Sequence, residues 1–210
     1  MKQGLLIIAL IFQVLAARAA DTISFSFQNE DLPKIIEAYS KAAGQKFVID
    51  PGVRGKATIL LPAKVTVEEA FNQLSSALAV NGYAISKQGD TMVVMSARNI
   101  QRSQLEVTTE PPALKPERMV VYMYSPKYLS AGQINRDLRI LLSRDGELNV
   151  YEPKNQIIIT DWTSNLNRVM DLMKKLDTAN SAETQKLVDN AEKQRERRHS
   201  TKEKEDKTTK

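Results

Sequence analysis

The sequence predicts an α+β protein of two small tandem domains, β-α-β-β-α-β-β and then β-α-β-β-α, followed by a charged C-terminal tail. Three observations carry this expectation. Apolar residues alternate between a period of two and a helical period over 22–97, and do so again over 118–177. A proline-bearing stretch without periodicity, 98–117, lies between and reads as a linker. Over 178–210 large apolar residues nearly vanish and charge of both signs takes over.

In the first domain, Ile23, Phe25 and Phe27 alternate with Ser24 and Ser26, the pattern of a half-buried strand. Leu32, Ile35, Ile36 and Tyr39 then fall at helical spacing, continued by Ala42 and Ala43. Asp31 is placed to cap that helix, Pro33 suits its first turn and Gly44 ends it. Lys46 to Asp50 reads as a strand stopped by Pro51-Gly52, and Ala57 to Leu61 as another stopped by Pro62. Thr66-Val67-Glu68-Glu69 is a capping box opening a helix that buries Val67, Ala70, Phe71, Leu74 and Leu78. Strands Tyr83 to Ser86 and Thr91 to Ser96 close the domain around a Gly89-Asp90 turn.

In the second domain, Met119 to Tyr124 is a strand ended by Ser125-Pro126. Ser130 and Gln133 form another capping-box pair, before a helix striped by Ile134, Leu138, Leu141 and Leu142. Asp145-Gly146 is a turn, Glu147 to Tyr151 a strand, Pro153-Lys154-Asn155 a turn and Gln156 to Thr160 a strand. Asp161 is placed to cap the last helix, lined by Leu166, Val169, Met170, Met173 and Leu176. The tail from Ala179 holds nine Lys/Arg and seven Asp/Glu, with Leu187 and Val188 its only large apolar residues, so it is expected to be a solvated helix or disordered.

Composition closes off much chemistry. The 210 residues include no Cys, which excludes disulfides, thiolate metal sites and a cysteine nucleophile. The single His, His199, lies in the tail, so a multi-histidine metal site is impossible. No Gly-rich dinucleotide or phosphate loop and no nucleophile elbow is present. Met1-Lys2, the apolar run Leu5 to Ala17 and Ala17-Arg18-Ala19 have the three parts of a secretory signal peptide, 1–19, cut between Ala19 and Ala20. The formal charge of +5 falls to +3 once Lys2 and Arg18 are removed, too little bias to argue for nucleic acid. The acid pairs Glu68-Glu69 and Asp137 with Asp145 do not read as catalytic, because the first pair suits the dipole of a helix start. Tyr122 and Tyr124 share one strand face, so Tyr122, Tyr124, Tyr128 and Tyr151 read as sheet residues before a stacking platform, and Trp162 as packing.

The segment Gly44-Gln45-Lys46-Phe47-Val48-Ile49-Asp50-Pro51-Gly52-Val53-Arg54-Gly55-Lys56-Ala57-Thr58 resembles the short N-terminal (STN, or N0) domain of bacterial secretins and of TonB-dependent transducers. The resemblance continues in Val65 to Leu74 and in the closing hairpin Gly89 to Val94. Tyr151 to Asp177, with Asn155 to Asp161 and Asn165 to Val169, is similar to the ring-building secretin N (N1) domain, which has a KH-like fold. The two resemblances span about residues 22–177. A KH domain that binds RNA needs a G-x-x-G loop between helices, and none occurs here. No ten-residue alternating strands that could close a barrel follow Asp177, so the chain is expected not to form the pore itself.

The resemblance implies a non-enzymatic periplasmic protein–protein interaction module of a secretin-type machine, serving type II secretion or type IV pilus biogenesis. No catalytic, cofactor, metal or small-molecule site is expected, and no nucleic-acid partner. Implied partners are a secretin barrel subunit, an inner-membrane platform protein and further copies in a ring, with location in the periplasm of a Gram-negative-type envelope. Strand addition at a sheet edge is the expected mode, since it uses backbone hydrogen bonds. Candidate contact residues are Ile23, Phe25, Phe27, Phe47 and Ile49 in the first domain, and Val120, Tyr122, Tyr124 and Arg168 in the second. The rival readings are a signalling module contacting an inner-membrane regulator, and the remnant of a truncated secretin gene.

Overall fold

A computed structural model describes residues 22–102, 105–191 and 193–194. The leader with its Ala19–Ala20 cut, and the end of the tail, lie outside the described residues.

The first domain runs β1 (Thr22–Ile23), β2 (Phe27–Asp31), α1 (Leu32–Ala43), β3 (Lys46–Ile49), β4 (Lys56–Ile59), β5 (Val65–Thr66), α2 (Val67–Val80), β6 (Tyr83–Gln88) and β7 (Thr91–Ser96). The two helices pack on each other, and each touches both the β2–β4 pair and the β3–β7–β6 sheet. Leu32, Ile35, Ile36, Leu74 and Leu78 are fully buried between them. The strand expected over 23–27 is two strands, β1 against β5 and β2 against β4. The break has a packing cause. Phe25 is buried and meets Phe27 and Tyr39 edge-on, at ring distances of 5.0 and 5.9 Å. Ser26 Oγ stands in for a strand partner, donating to Leu61 O and accepting from Leu61 N.

The caps differ from expectation in detail. Thr66 Oγ1 accepts the Glu69 N–H, but the Glu69 carboxylate turns to Asn72, Gln73 and Lys115, leaving half a capping box. Asp31 occupies the N-cap position of α1 without accepting a helix N–H; its carboxylate faces Lys34 and Lys56.

The second domain runs β8 (Val107–Thr108), β9 (Met119–Tyr124), α4 (Ala131–Leu138), a 3₁₀ turn (Arg139–Leu141), β10 (Glu147–Tyr151), β11 (Gln156–Trp162) and α5 (Thr163–Leu176). The sheet order is β10-β11-β9-β8, antiparallel except for the parallel β8–β9 pair. Val120, Tyr122, Leu148, Ile157 and Ile159 point from the sheet into one core with Ile134, Leu166, Val169, Met170 and Met173 of the helices. Ser130 and Gln133 make the full capping box. Leu141 and Leu142 fall beyond the helix that their spacing implied, in and after the 3₁₀ turn.

Asp161 is not the cap of α5. It ends up fully buried in β11 and accepts from Ser143 N (2.8 Å), Ser143 Oγ, Trp162 N (2.8 Å) and Asn165 Nδ2 (2.6 Å). The carboxylate thus fixes the 143–146 turn, and Glu117 takes over the start of α5 by accepting from Ser164 N and Oγ. Gly146 passes so close that a Cβ there would lie 2.5 Å from Asp161 Oδ2. Gly146→Ala is therefore expected to cost about 1–3 kcal/mol in urea unfolding, whereas Gly89→Ala, with open space around it, should lose only the positive-φ preference.

The segment 98–117 is more than a linker. A short helix α3 (Ala97–Ile100) and β8 fall within or at its borders. Ala84, Ala97, Ile100, Met119 and Trp162 form a third buried cluster that spans both domains. Gln101 Nε2 donates to Asp145 O across the junction, Arg98 reaches the Asp145 carboxylate at 3.9 Å, and Lys115 reaches Glu69. In the tail, 182–191 is helical, capped by Ser181 Oγ on Thr184 N.

Candidate interaction surfaces

Strand edges, the outer face of the second sheet and an apolar face of its last helix stand open among the described residues. β3 is an edge of its sheet, pairing only with β7. Asp50 N donates to Val94 O at 2.9 Å. Alternate residues of a strand direct their backbone groups to opposite sides, so the N–H and C=O of Ile49 point away from β7. Phe47 and Ile49 are half-buried toward the helices, while Val48 is 56% exposed on the opposite face. The β3 edge therefore offers backbone donors and acceptors with an apolar side chain beside them, which is what an added strand needs. Asp50 Oδ1, accepting from Gly52 N at 2.7 Å, ends the edge in a tight turn.

In the second domain the helices cover one sheet face. The other carries Asn149, Ile158 and Met123 as one cross-strand row, and Glu147, Thr160, Val121 and Val107 as the next. Val121, Met123 and Ile158 are half-buried and Val107 is exposed, with Tyr151 exposed at the β10 edge. On the helix side, α5 exposes Leu172 and Leu176 one turn apart. These apolar surfaces lie on opposite sides of a two-layer domain, so contact between copies through them would be head-to-tail, not two-fold.

The sequence-derived contact residues divide unequally. Phe47 and Ile49 lie on the open β3 edge, and Ile23 and Phe27 are half-buried on the short strands β1 and β2. Phe25, Val120 and Tyr122 are core residues and cannot meet a partner, a correction to their reading as contact side chains. β9 lies between β11 and β8, with Val121 and Tyr122 paired to β8, because part of the expected linker adds a short strand to its middle. Tyr124 stacks on Tyr122 at 6.3 Å and spends its hydroxyl on Asp177. Arg168 is exposed, but its guanidinium holds Leu141 O at 2.7 Å and Asn165 Oδ1 at 2.6 Å. The strands Lys46 to Asp50 and Met119 to Tyr124 and the helix Asn165 to Leu176 are contact elements by sequence, but Val48, Met123 and Leu172 within them, and Tyr151 and Ile158 outside them, are not singled out by it. Their alternation was visible; which face the helices would cover was not.

Two polar anchors hold the loop that joins β9 to α4. The Asp177 carboxylate accepts from Tyr124 Oη (2.6 Å) and from the N–H groups of Lys127, Tyr128 and Leu129. Burial pushes its pKa up, but these donors outweigh burial and hold the carboxyl below the usual range. Burial, and then Asp177 itself, raise the Tyr124 hydroxyl. Asn155, in the left-handed region at φ 46°, donates to Pro126 O and Leu129 O and accepts from Ala131 N. No group of acidic or histidine side chains that could hold a metal ion occurs among the described residues, and no described helix is long and apolar enough to cross a membrane.

Residues 25–94 match the GspD-like N0 domain, and residues 121–182 match the bacterial type II/III secretion system short domain, together more than half of the chain. The secretin XcpQ of Pseudomonas aeruginosa is 22% identical over 158 residues, which are 75% of this chain and 23% of XcpQ. The secretin GspD of Vibrio cholerae is 24% identical over 167 residues, 78% of this chain and 25% of GspD. The chain thus spans about a quarter of the length of these curated relatives. In the Klebsiella pneumoniae type II secretion system outer membrane complex of PulD, PulS and the PulC HR domain, one chain shares its fold with a TM-score of 0.65, at 23% identity over 80% of this chain and 31% of that one. The chain belongs to the secretin family, carrying that family's GspD-like N0 domain followed by its short secretin N domain.

Proposed function

We propose that this chain works by binding and not by catalysis, as a periplasmic interaction module of a type II secretion machine. Its first domain receives a strand from a neighbouring envelope protein at the β3 edge. Its second domain packs against further copies, with the Leu172–Leu176 face of α5 on the open sheet face of the next copy. The observation that carries the reading is the open β3 edge on a secretin N0 domain, where Ile49 turns its backbone outward. The partner class is an inner-membrane platform protein or a secretin barrel subunit; the Klebsiella complex, in which PulD stands with PulS and the PulC HR domain, is the precedent.

The test is crosslinking of the tagged chain in cells, with wild type and Ile49→Pro side by side. Proline removes the outward N–H and is tolerated on a free edge. Wild type should capture a secretion-system protein of the envelope, and I49P should lose most of that capture while keeping a cooperative thermal melt. Equal capture by a folded I49P would remove the edge from the account. Capture of an inner-membrane regulator alone would replace secretion with signalling.

A further inference from the structure

The chain turns back on the second domain after α5. The Asp177 carboxylate is anchored to the N–H groups of 127–129, and Ser181 Oγ accepts from Thr184 N at 3.1 Å at the start of the helical stretch 182–191. Only residues 178–181 lie between these two fixed points. The tail helix is thereby held beside a groove of about 410 Å³. Leu129, Ile134, Leu138 and Leu176 line this groove from the body of the domain, and Gln185 and Val188 line it from the tail helix.

The burial pattern shows how the tail helix is seated. Val188 is half-buried, and every other residue of 182–191 is exposed, Leu187 at 66%. The polar side chains of the stretch bond to one another: Asn180 Nδ2 donates to Gln185 Oε1 at 3.0 Å, and Gln185 Nε2 to Asp189 Oδ1 at 2.8 Å. Half-burial of one valine is worth a factor of about five in an equilibrium constant. A helix of this length gains little stability from its own backbone. Within 182–191 the hold on the domain is thus small and rests on Val188. The position of that valine matters, because Leu176 lines the same groove. Leu176 is 46% exposed and lies one turn from Leu172 on the α5 face offered to the next copy. A neighbour seated on Leu176 and the tail helix therefore compete for one place.

We propose that the tail helix is an autoinhibitory strap. Docked through Val188, it closes the groove beside Leu176 and keeps a second copy of this chain off the α5 face. Released, it leaves the groove and the Leu172–Leu176 face as one continuous apolar surface for that copy. The strap rests on the copy-to-copy contact proposed above and adds its control; it is independent of the β3 edge.

The experiment is sedimentation velocity over a concentration series, with hydrogen exchange on the same samples at concentrations where they are monomeric. The protein is the chain from Ala20 onward, as wild type, Val188→Asp, Val188→Leu, and Val188→Asp combined with Leu172→Asp. Val188→Asp puts a charge into the groove that Asp137 also lines, whereas Val188→Leu fills it further. Melting temperatures check that the domains stay folded. Amides of 186–191 should exchange about fivefold faster in Val188→Asp than in wild type. Val188→Asp should self-associate at about fivefold lower concentration than wild type. Val188→Leu should need a higher concentration than wild type, and Leu172→Asp should abolish the gain made by Val188→Asp. If the tail amides exchange alike in wild type and Val188→Asp, there is no strap. If the two self-associate alike while Leu172→Asp still weakens association, the strap falls and the copy contact stands. If no form self-associates, or if Leu172→Asp changes nothing, the copy contact itself fails and the strap falls with it.

Discussion

Asp177→Ala is expected to destabilise the second domain by about 2–4 kcal/mol, far more than its place at the end of a helix suggests. The carboxylate is the common acceptor of one hydroxyl and three consecutive backbone N–H groups, and all four donors lose their partner together. Tyr124→Phe, which removes one of the four, should cost about 1 kcal/mol. The effect depends on pH in a definite direction. The folded pKa of Asp177 lies below its ordinary value of 3.8. Its stabilising contribution is therefore complete above that value and is lost as pH falls through the folded pKa. Urea unfolding of wild type and Asp177→Ala at neutral pH and in steps below pH 4 checks this: the gap between them should shrink as acid is added. A constant gap would mean that Asp177 acts through shape and not charge. Hydrogen exchange at 127–129 should rise in the variant while the first domain stays protected.

Trp162→Ala is the second large expectation, at about 3–5 kcal/mol. Trp162 fills the cluster shared by the two domains, against Ile100, Ala97 and Ala84 from the first and Met119 from the second. Its removal should do more than lower stability. The polar contacts that remain across the junction are Gln101 with Asp145 O and the ion pairs of Arg98 and Lys115, and most of these are exposed. The domains should then hinge, and small-angle scattering should show a larger radius of gyration than wild type at temperatures where both domains remain folded. An unchanged radius would show that the segment around β8 alone fixes the arrangement.

Most of this architecture was legible because local signals agreed with each other. Thr91 to Ser96, Met119 to Tyr124 and Glu147 to Tyr151 fall where alternation put them. Gly44 ends α1 in the left-handed conformation, as its position after an apolar stripe implied. What sequence could not show is set by tertiary partners. Phe25 follows the alternation of a strand, yet the strand breaks there because the ring is claimed by Phe27 and Tyr39. Asp161 has the spacing of a cap, yet a turn eighteen residues earlier takes its oxygens. Val107 and Thr108, within a stretch that reads as linker, pair in parallel with β9 and so remove the edge on which Val120 and Tyr122 were placed. Edge and interior strands share one pattern of residues, and only the neighbouring strands distinguish them. The family resemblance carried the function further than the residues did, since turn and cap positions such as Gly55 and Asn155 have structural roles that say nothing about a partner.

We propose β3 as the partner edge of the first domain. The most direct measurement places a photo-crosslinking amino acid at Val48 in one strain and at Gln88, on the opposite edge strand β6, in another, and identifies the adducts formed in living cells. Adducts with a secretion-system envelope protein are expected from position 48 and few from position 88. Adducts from 88 and none from 48, in a chain that folds normally, would contradict it.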